Sequence, residues 1–468
     1  MLPFIGRGQE LAALEELYKV SGFQMAVVYG RRRVGKSTLL ERFVSGKRTV
    51  FYTAVRMSLQ KNVELLGRQV LEVLAPEMQS VSFTSVDAVF DFLASYCEQE
   101  RLVLVIDEFP YLAEADKGVI SVLQKFIDTR WLKGNMFLIL SGSSVSFMEE
   151  EVLSEKSPIY GRRTAQIHLK AFDYLESAEF VPTYTFEEKA VCYGITGGIA
   201  KYLSLLDDSR PLDENIVRLF FSKSGYMYEE PENLLTQEFR NVASYNAIIE
   251  AVASGESKLN DIADKAHIDA STVSHAIANL MVTGIIQKDF AITEEGNKKK
   301  IQYVLKDTMF RFWYRFVPDG IAAIEMGRGE VFYQKSVRPF LPEYMGRVFE
   351  DICRQYTLRA GIDGRLPCFV TSVGRWWGTN PATKEQTDID VVGLAKTERK
   401  LLLGECKFRN EAVDKDAVEA LMQRNGLVDR SYQTAGYLLF SKSSFTPWVM
   451  EHRDELGLVT VSLEELYR

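Results

Sequence analysis

The stretch MAVVYGRRRVGKSTLL, residues 25–40, decides the fold of the first part of this chain. Residues 25–29 are apolar and rich in β-branched side chains, which predicts a short buried strand. The next residues match the spacing G-x-x-x-x-G-K-[ST], and a pair of leucines then begins a helix. A strand, a glycine loop and a helix in this order predict a phosphate-binding loop, whereas a chance match would lack this context.

Each residue type in the loop has a physical purpose. Gly30 and Gly35 let the backbone curl so that its N–H groups point inward, and the helix N-terminus adds positive potential. Lys36 supplies a mobile charge for the β- and γ-phosphates, and the Ser37 hydroxyl is expected to bind magnesium. Thr38 is assigned to the same nucleotide site. The motif therefore predicts ATP and Mg²⁺ as cofactors.

A second signal should follow a true phosphate loop, and it does in LVLVIDE, residues 102–108. An apolar run that ends in acids predicts a buried parallel strand with carboxylates at its tip. Asp107 is expected to hold magnesium through water, and Glu108 to polarise the attacking water. The alternative is a pair of acids that only caps a strand.

Two further residues are candidates on the same edge of the sheet. Ser141 ends a third apolar run, MFLILSG, and is either a sensor of the γ-phosphate or part of a Ser-Gly turn. Arg162, in IYGRR, is either the arginine that neutralises transition-state charge, in cis or from a neighbouring subunit, or a solvated surface charge.

The middle of the chain has the pattern of a winged helix-turn-helix. Residues 233–253 have helical spacing and predict one helix, which SGES ends. Two short helices follow, separated by a turn at residues 267–269, and then two strands joined by the polar hairpin GNKKK. The second helix lacks Arg and Lys, so its candidates for reading bases are Ser271, Ser274, His275 and Asn279. DNA binding and packing as a lid or partner-holding module both remain open.

The last third contains an acid in a strand, TDIDVVGLA, and then E-x-K in the next strand, LLLGECKF. Glu405 and Lys407 share one face because strand residues two apart point the same way. Asp390, or Asp388 on the same face, is the preceding acid, and Glu350 lies on an earlier helix. Asp390 and Glu405 are expected to bind magnesium with help from Glu350, and Lys407 to stabilise charge or activate water. A hairpin with incidental alternating charges is the alternative.

These motifs carry two resemblances. FIGRGQEL, GRRRVGKSTLL, VLVIDEFPYL, LILSGSSVSFM, YGRR and GGIAKYL together resemble the archaeal-type ATPase family, which is related to the AAA and signal-transducing NTPases. This resemblance implies that Arg7 lies near the adenine and that Arg162 is a sensor or finger. Ala200 replaces a usual proline. The acid, E-x-K and helical Glu resemble the PD-(D/E)xK nuclease fold, which carries an auxiliary polar residue near Gln423.

The whole chain is therefore expected to be α/β, with a P-loop NTPase parallel sheet, a winged helix-turn-helix and a restriction-endonuclease-like α/β domain. The predicted boundaries are 1–205 for the ATPase, 206–235 for a helical lid, 236–306 for the winged helix and 307–468 for the nuclease-like domain.

Composition limits the class of protein. With 46% hydrophobic and 26% charged residues, the chain has enough apolar material for several cores. The net charge of −8 argues against a wholly basic surface but permits a local basic site. Five dispersed cysteines without CxxC spacing predict reduced thiols in a cytoplasmic protein. No run approaches the roughly 18 apolar residues of a membrane span.

Two functions from different classes follow. The first is an ATP-driven enzyme that acts on DNA through a magnesium-dependent nuclease-like domain. The second is a regulatory NTPase switch whose C-terminal domain binds DNA or a partner without cleaving it. A homo-oligomer is plausible for either, because related ATPases complete their sites across subunits.

Overall fold

A computed structural model of the protein describes residues 4–98, 100–294, 296–297, 300–381 and 383–468. The chain divides into two compact units, Met1–Ala171 with Ile199–Lys201 and Phe172–Gly198 with Tyr202–Arg468. The finer division into four domains stays a prediction. Within the described residues, no helix combines the length and the apolar character that a membrane crossing requires.

The first unit is built on a five-stranded parallel sheet with the order β2-β3-β4-β1-β5. Its strands are β1 Gln24–Tyr29, β2 Thr49–Thr53, β3 Leu102–Asp107, β4 Met136–Gly142 and β5 Ala165–His168. Its helices are α1 Gly8–Lys19, α2 Lys36–Val44, α3 Leu59–Leu74, α4 Val86–Cys97, α5 Phe109–Ala115, α6 Gly118–Thr129 and α7 Val145–Phe147. The predicted α/β class with a parallel sheet is confirmed.

The sheet order determines which loops share an edge. Strands β1, β3 and β4 are buried along their whole length, as their continuous apolar runs predict. Because all five strands are parallel, their carboxyl ends lie on one side, where ligands bind in open α/β sheets. Strand β4 lies between β1, which leads into the glycine loop, and β3, which carries the acids.

The second unit begins with helices and a small hairpin. The helices are α8 Tyr174–Ala178, α9 Phe186–Thr196, α11 Leu212–Phe220, α12 Glu230–Glu238, α13 Val242–Ala253, α14 Leu259–Ala266 and α15 Ala270–Val282, while α10 Ala200–Leu203 spans the boundary of the units. Strands β6 Ile286–Asp289 and β7 Gln302–Leu305 form an antiparallel pair. Asp269 caps α15 by accepting a hydrogen bond from the N–H of Thr272. Both predicted short helices and the turn between them are present.

One helix prediction was wrong. Residues 233–253 do not form a single helix, because the backbone becomes extended at Phe239 and separates α12 from α13. The ring of Phe239 stacks on that of Tyr245, with 3.8 Å between the ring centroids. This contact between the two rings stabilises the break between the helices. It is a tertiary interaction, so the helical spacing of apolar residues does not predict it.

The C-terminal part of the second unit forms a mixed five-stranded sheet with the order β12-β11-β10-β9-β8. Strands β8 Ser372–Thr379, β9 Gln386–Ala395 and β10 Lys400–Lys407 are antiparallel neighbours, whereas β11 Gln433–Ser441 and β12 Leu458–Ser462 join in parallel. The helices of this part are α16 Thr308–Phe316, α17 Ile321–Glu325, α18 Gly329–Phe332, α19 Leu341–Ile362, α20 Lys415–Met422, α21 Pro447–His452 and α22 Leu463–Leu466. Helix α19 packs on β8, β9 and β10.

Candidate nucleotide site and C-terminal acidic cluster

The glycine loop has the geometry that its motif predicts. Helix α2 begins at Lys36, directly after Gly35, whose φ of 97° favours glycine. A Cβ at Gly30 would lie 2.2 Å from the carbonyl oxygen of Leu169, so only glycine fits there. The Lys36 ammonium donates to the carbonyl oxygens of Gly30 at 2.8 Å and Arg31 at 3.2 Å. These two hydrogen bonds therefore hold the Lys36 ammonium against the backbone of the glycine loop.

Ser37 and Asp107 come together across the edge of the sheet. The Ser37 hydroxyl donates to Asp107 Oδ2 at 2.9 Å, and Asp107 Oδ1 accepts from the N–H of Glu108 at 3.0 Å. Asp107 is buried, with 4% of its surface exposed, while Ser37 is exposed. A hydroxyl and a carboxylate placed side by side are hard oxygen donors of the kind that Mg²⁺ prefers, so this pair fits the ion.

Glu108 is oriented by a residue that the sequence reasoning missed. Its backbone is left-handed, with φ 51°, and its Oε2 accepts from the Ser143 hydroxyl at 2.7 Å and the Ser143 N–H at 3.2 Å. The hydroxyl-rich run SGSS at the end of β4 is the signal in the sequence, and the prediction names its first serine, Ser141. Ser141 is fully buried, and its hydroxyl has no hydrogen-bond partner among the residues that the structure describes. Its role as a phosphate sensor stays a prediction.

The buried side chain of Arg7 connects separate parts of the first unit. Its guanidinium donates to the carbonyl oxygens of Val34 at 3.1 Å and Lys170 at 2.5 Å, and lies 3.4 Å from the carboxylate of Glu10. These bonds join the start of α1 to the glycine loop and to the segment after β5. Its proposed place beside the adenine stays a prediction.

Ala200 lies against the glycine loop. A Cβ at Gly35 would be 3.6 Å from the Ala200 Cβ, and the N–H of Lys201 donates to the carbonyl oxygen of Arg33 at 3.1 Å. The short segment at Ala200, where the resemblance implies a proline, therefore contacts the phosphate loop directly.

Arg162 is engaged by a carboxylate. Its Nε and Nη2 donate to the two oxygens of Asp128 at 2.7 Å and 2.6 Å. This bidentate contact raises the pKa of the Arg162 guanidinium and lowers the pKa of Asp128. Its carbonyl contacts are with Pro158 and Tyr160 of the same turn. The predicted catalytic role of Arg162 would require it to leave Asp128.

In the second unit, the fold brings the predicted acids and lysine to neighbouring elements. Asp390 lies on β9, where it is half-buried, and its Oδ2 accepts from the N–H of Cys406 at 2.9 Å. Cys406 stands between Glu405 and Lys407 on β10. Asp388 is exposed on the same strand, so the geometry favours Asp390 as the acid of the cluster.

Glu405 is bound by two cations. Its Oε1 lies 2.5 Å from the Lys407 ammonium, and its Oε2 forms an ion pair with the guanidinium of Arg424. Arg424 follows α20 and is a second residue that the sequence reasoning missed, since Gln423, next to it, was the candidate there. The resemblance to the nuclease fold implies the right region but not the side chain that reaches Glu405.

Glu350 on α19 completes the acidic cluster. Arg354, one helical turn later, lies 3.4 Å from the Glu350 carboxylate and donates to the Asp390 carbonyl oxygen at 2.7 Å. Burial raises the pKa of Glu350. Burial, with repulsion from Glu405 and Glu350, raises the pKa of Asp390 to about 7. The acids therefore lie near enough to oppose one another's ionisation.

Metal binding at this cluster needs a rearrangement. Across the described ranges, no group of three His, Cys, Asp or Glu side chains is arranged to hold a metal ion. Both carboxylate oxygens of Glu405 are paired with cationic side chains, and these are the oxygens that a metal ion would bind. The carboxylates of Glu350, Asp390 and Glu405 fit Mg²⁺ in kind, provided that Glu405 exchanges Arg424 for the ion.

The exposed face of α15 is polar and uncharged. Ser271, Ser274 and His275 are exposed, whereas Asn279 donates to the Tyr245 hydroxyl at 2.7 Å. Of the predicted GNKKK hairpin, Lys298 and Lys299 lie outside the described residues, and Lys300 pairs with Glu294 at 2.7 Å.

Comparison with known proteins agrees with this geometry. Residues 4–206 match the family described as an ATPase domain predominantly from Archaea, and residues 313–420 match a family of archaeal and bacterial proteins of unknown function. The uncharacterized protein MJECL04 of Methanocaldococcus jannaschii is 30% identical over 409 residues, which are 87% of this chain and 88% of that protein.

Solved structures are similar at lower identity. The Walker-type ATPase PABY2304 of Pyrococcus abyssi is 20% identical, with a TM-score of 0.51 over 67% of this chain and 96% of that one. This similarity supports the fold. The ORC2 protein of Aeropyrum pernix is 14% identical and matches 69% of this chain and 95% of that one. Its TM-score of 0.46 is too low to support an argument about the fold. The phosphate loop, the paired acids and the similarity to these relatives together show that the chain belongs to the family of ATPases found predominantly in Archaea.

Proposed function

We propose that this ATPase acts on DNA, and that ATP binding and hydrolysis in the first unit control phosphodiester cleavage by the second. The observation that carries the proposal is the cluster of Glu350, Asp390, Glu405 and Lys407. These residues come from one helix and two strands, and the backbone N–H between Glu405 and Lys407 binds Asp390 at 2.9 Å.

A merely structural role explains this cluster poorly. Burying Asp390 beside two other acids raises its pKa to about 7, so its ionisation opposes folding at neutral pH. Ionisable groups with such shifted pKa values concentrate at functional sites, where the charge has a use. Lys407 beside Glu405 supplies a cation that can stabilise negative charge on a phosphate.

Magnesium is the ion that these donors suit. We propose Ser37 and Asp107 as its ligands in the nucleotide site, and Glu350, Asp390 and Glu405 as its ligands in the second unit. A bound divalent cation would polarise a phosphoryl oxygen or lower the pKa of water. Lys407 would then neutralise charge on the phosphodiester, while Arg424 would be released from Glu405.

The winged helix supports DNA as the target only in part. Its second helix presents hydroxyls and an imidazole, which can read base edges, but phosphate contacts require basic side chains. We propose that these contacts come from the lysine-rich hairpin and from other basic residues of the second unit. A homo-oligomer is part of the proposal, because ATPases of this class use contacts between subunits.

The test is cleavage of plasmid and oligonucleotide DNA by the full chain in Mg²⁺. Cleavage should be lost in Asp390→Ala and Lys407→Ala. Lys400→Ala is the matched control, since Lys400 lies at the opposite end of the same strand and pairs with Glu398 at 3.3 Å. Equal cleavage by the wild type and both cluster variants would contradict the proposal.

A second candidate is a regulatory switch whose C-terminal domain binds without cutting. The double ion pair of Glu405 favours it, because a carboxylate saturated by Lys407 and Arg424 needs no metal. This function predicts ATP hydrolysis and DNA affinity that falls steeply with salt, without cleavage. Arg424→Ala separates the two functions, since it should increase Mg²⁺-dependent cleavage under the first and leave cleavage absent under the second.

A further inference from the structure

The loop that follows β2 is held in one shape by a single buried amide. Asn62, on α3, is fully buried. Its side-chain nitrogen donates to the carbonyl oxygens of Val55 at 3.1 Å, Met57 at 3.3 Å and Ser58 at 3.1 Å. Its side-chain oxygen accepts from the N–H of Val55 at 3.0 Å and from the Tyr52 hydroxyl at 2.6 Å. A buried amide requires such partners, and most of them here are backbone groups of the loop.

The loop presents Arg56 at its tip. The N–H of Met57 donates to the carbonyl oxygen of Val55 at 2.8 Å, which closes a three-residue turn around Arg56. Arg56 is exposed and, among the residues that the structure describes, its guanidinium has no ion pair or hydrogen bond. Its guanidinium carbon lies 5.0 Å from the centre of the Tyr111 ring. The backbone of this arginine is therefore fixed, while its charge is available to an anion.

The tip of the loop lies at the edge of the sheet that carries the nucleotide motifs. The loop begins beside the end of β3, since the N–H of Ala54 donates to the carbonyl oxygen of Asp107 at 2.8 Å. Tyr111 lies in α5, and its N–H donates to the carbonyl oxygen of Glu108 at 3.0 Å. The Tyr111 hydroxyl accepts from Arg32 Nη2 of the glycine loop at 2.5 Å. The ring beneath the exposed guanidinium thus lies between the glycine loop and the paired acids.

We infer that Arg56 contacts the γ-phosphate of ATP in cis, and that Asn62 is the residue that positions it. In P-loop NTPases the γ-phosphate and the attacking water lie between the glycine loop and the acids that end β3. A hydrogen bond from a guanidinium to an anionic phosphate is stronger than the contact of an exposed guanidinium with a ring, so the side chain turns from Tyr111 to the nucleotide.

The charge of Arg56 is used in the hydrolysis itself. Water attacks the γ-phosphorus and gives a proton to Glu108. The bond from phosphorus to the β–γ bridging oxygen breaks, and ADP leaves with the electron pair. Arg56 neutralises the negative charge on the oxygens of the transferred group.

This inference gives Arg56 the role that was expected of Arg162, whose guanidinium is bound by both oxygens of Asp128. It concerns the ATPase reaction of the first unit and does not depend on any action on DNA. The absence of DNA cleavage would therefore leave it unaffected.

The test compares ATP affinity, ADP affinity and ATP turnover in full-length variants. Arg56→Ala should weaken ATP binding about 10-fold, leave ADP binding within about 2-fold and lower kcat about 10²-fold or more. Arg56→Lys should recover part of the preference for ATP, because it restores the charge. Arg68→Ala is the matched control, since it removes an exposed arginine of α3 that pairs with Glu64 at 2.9 Å.

Asn62 is tested through Arg56. Asn62→Ala should lower kcat, and adding Arg56→Ala to it should lower kcat no further than Arg56→Ala does alone, because both changes remove the same contact. Thermal melting identifies the variants that are folded. If Asn62→Ala does not fold, the Arg56 variants alone decide the inference.

Three results would overturn the assignment of Arg56. The first is a wild-type ratio of ATP to ADP affinity in Arg56→Ala, and the second is a wild-type kcat in that variant. The third is recovery of hydrolysis when Arg56→Ala is mixed with Lys36→Ala, which would show that Arg56 serves the site of a neighbouring subunit.

Discussion

At Gly30 the chain passes so close to the segment after β5 that a Cβ would lie 2.2 Å from the carbonyl oxygen of Leu169. We expect Gly30→Ala to destabilise the first unit by about 1–3 kcal/mol and to weaken ATP binding, because the loop must move away from its position. Denaturant unfolding and ATP titration measure both effects. Gly8→Ala is the control, since its Cβ would meet no atom within 4 Å. Equal effects of the two substitutions would contradict the prediction.

Ser143 should matter through Glu108. Among the residues that the structure describes, removing its hydroxyl leaves Glu108 Oε2 with only the backbone N–H donor at 3.2 Å. We expect Ser143→Ala to lower kcat for ATP hydrolysis about 10-fold with little change in ATP affinity, and Glu108→Gln to lower it by about 10²–10⁴. Ser144→Ala is the neighbouring control. A faster Ser143→Ala enzyme would show that the serine restrains Glu108 instead of positioning it.

Asp390 should give the protein a pH-dependent stability. Burial beside Glu405 and Glu350 raises its pKa from 3.8 to about 7, so the folded protein holds this proton more tightly than the unfolded chain. Its contribution to the free energy of unfolding is therefore fully present at low pH and is lost as pH rises through about 7.

We expect Asp390→Asn to match the wild type near pH 4 and to become more stable than it by a few kcal/mol, at most about 4, near pH 8 in EDTA. Denaturant unfolding across this pH range measures the difference. Asp388→Asn, at the exposed acid of the same strand, should show little change. A difference that shrinks with rising pH would have the wrong sign for a raised pKa.

At the scale of elements, helix α19 contains a matched pair of glycines. A Cβ at Gly346 would meet no atom within 4 Å, whereas a Cβ at Gly361 would lie 2.4 Å from the Val370 Cβ. We expect Gly346→Ala to stabilise the second unit by about 0.5–1 kcal/mol, because alanine loses less backbone entropy in a helix. Gly361→Ala should destabilise it by about 1–3 kcal/mol through overpacking. Unfolding curves that place both variants on the same side of the wild type would contradict this account.

Elements with strong local signals could be predicted from the sequence. The strands at Gln24–Tyr29 and Leu102–Asp107 are buried along their whole length and mainly apolar, and the segments that follow them carry the nucleotide-binding motifs. The break at Phe239 was missed because it depends on stacking against Tyr245. Side-chain choices at the sites were missed for a similar reason, since which hydroxyl reaches Glu108 and which side chain reaches Glu405 depend on loop geometry after β4 and α20.

At the scale of the whole molecule, the family assignment rests on the match of residues 4–206 and on a relative that covers most of the chain. A relative that is 30% identical over 87% of this chain carries the resemblance beyond the phosphate loop. The chain thus combines an ATPase domain with a C-terminal mixed sheet whose acids and lysine are brought together. Our central claim is that the first controls the action of the second on DNA.

The most direct test of that claim is the rate of DNA cleavage in Mg²⁺ with ATP, with ADP and without nucleotide, for the wild type and Lys36→Ala. Lys36→Ala removes the cation that contacts the loop carbonyl oxygens at 2.8 Å and 3.2 Å and should abolish ATP binding. We predict cleavage by the wild type that depends on ATP and is lost in Lys36→Ala. Cleavage that proceeds equally in all of these conditions, or no cleavage while ATP hydrolysis is intact, would contradict the claim.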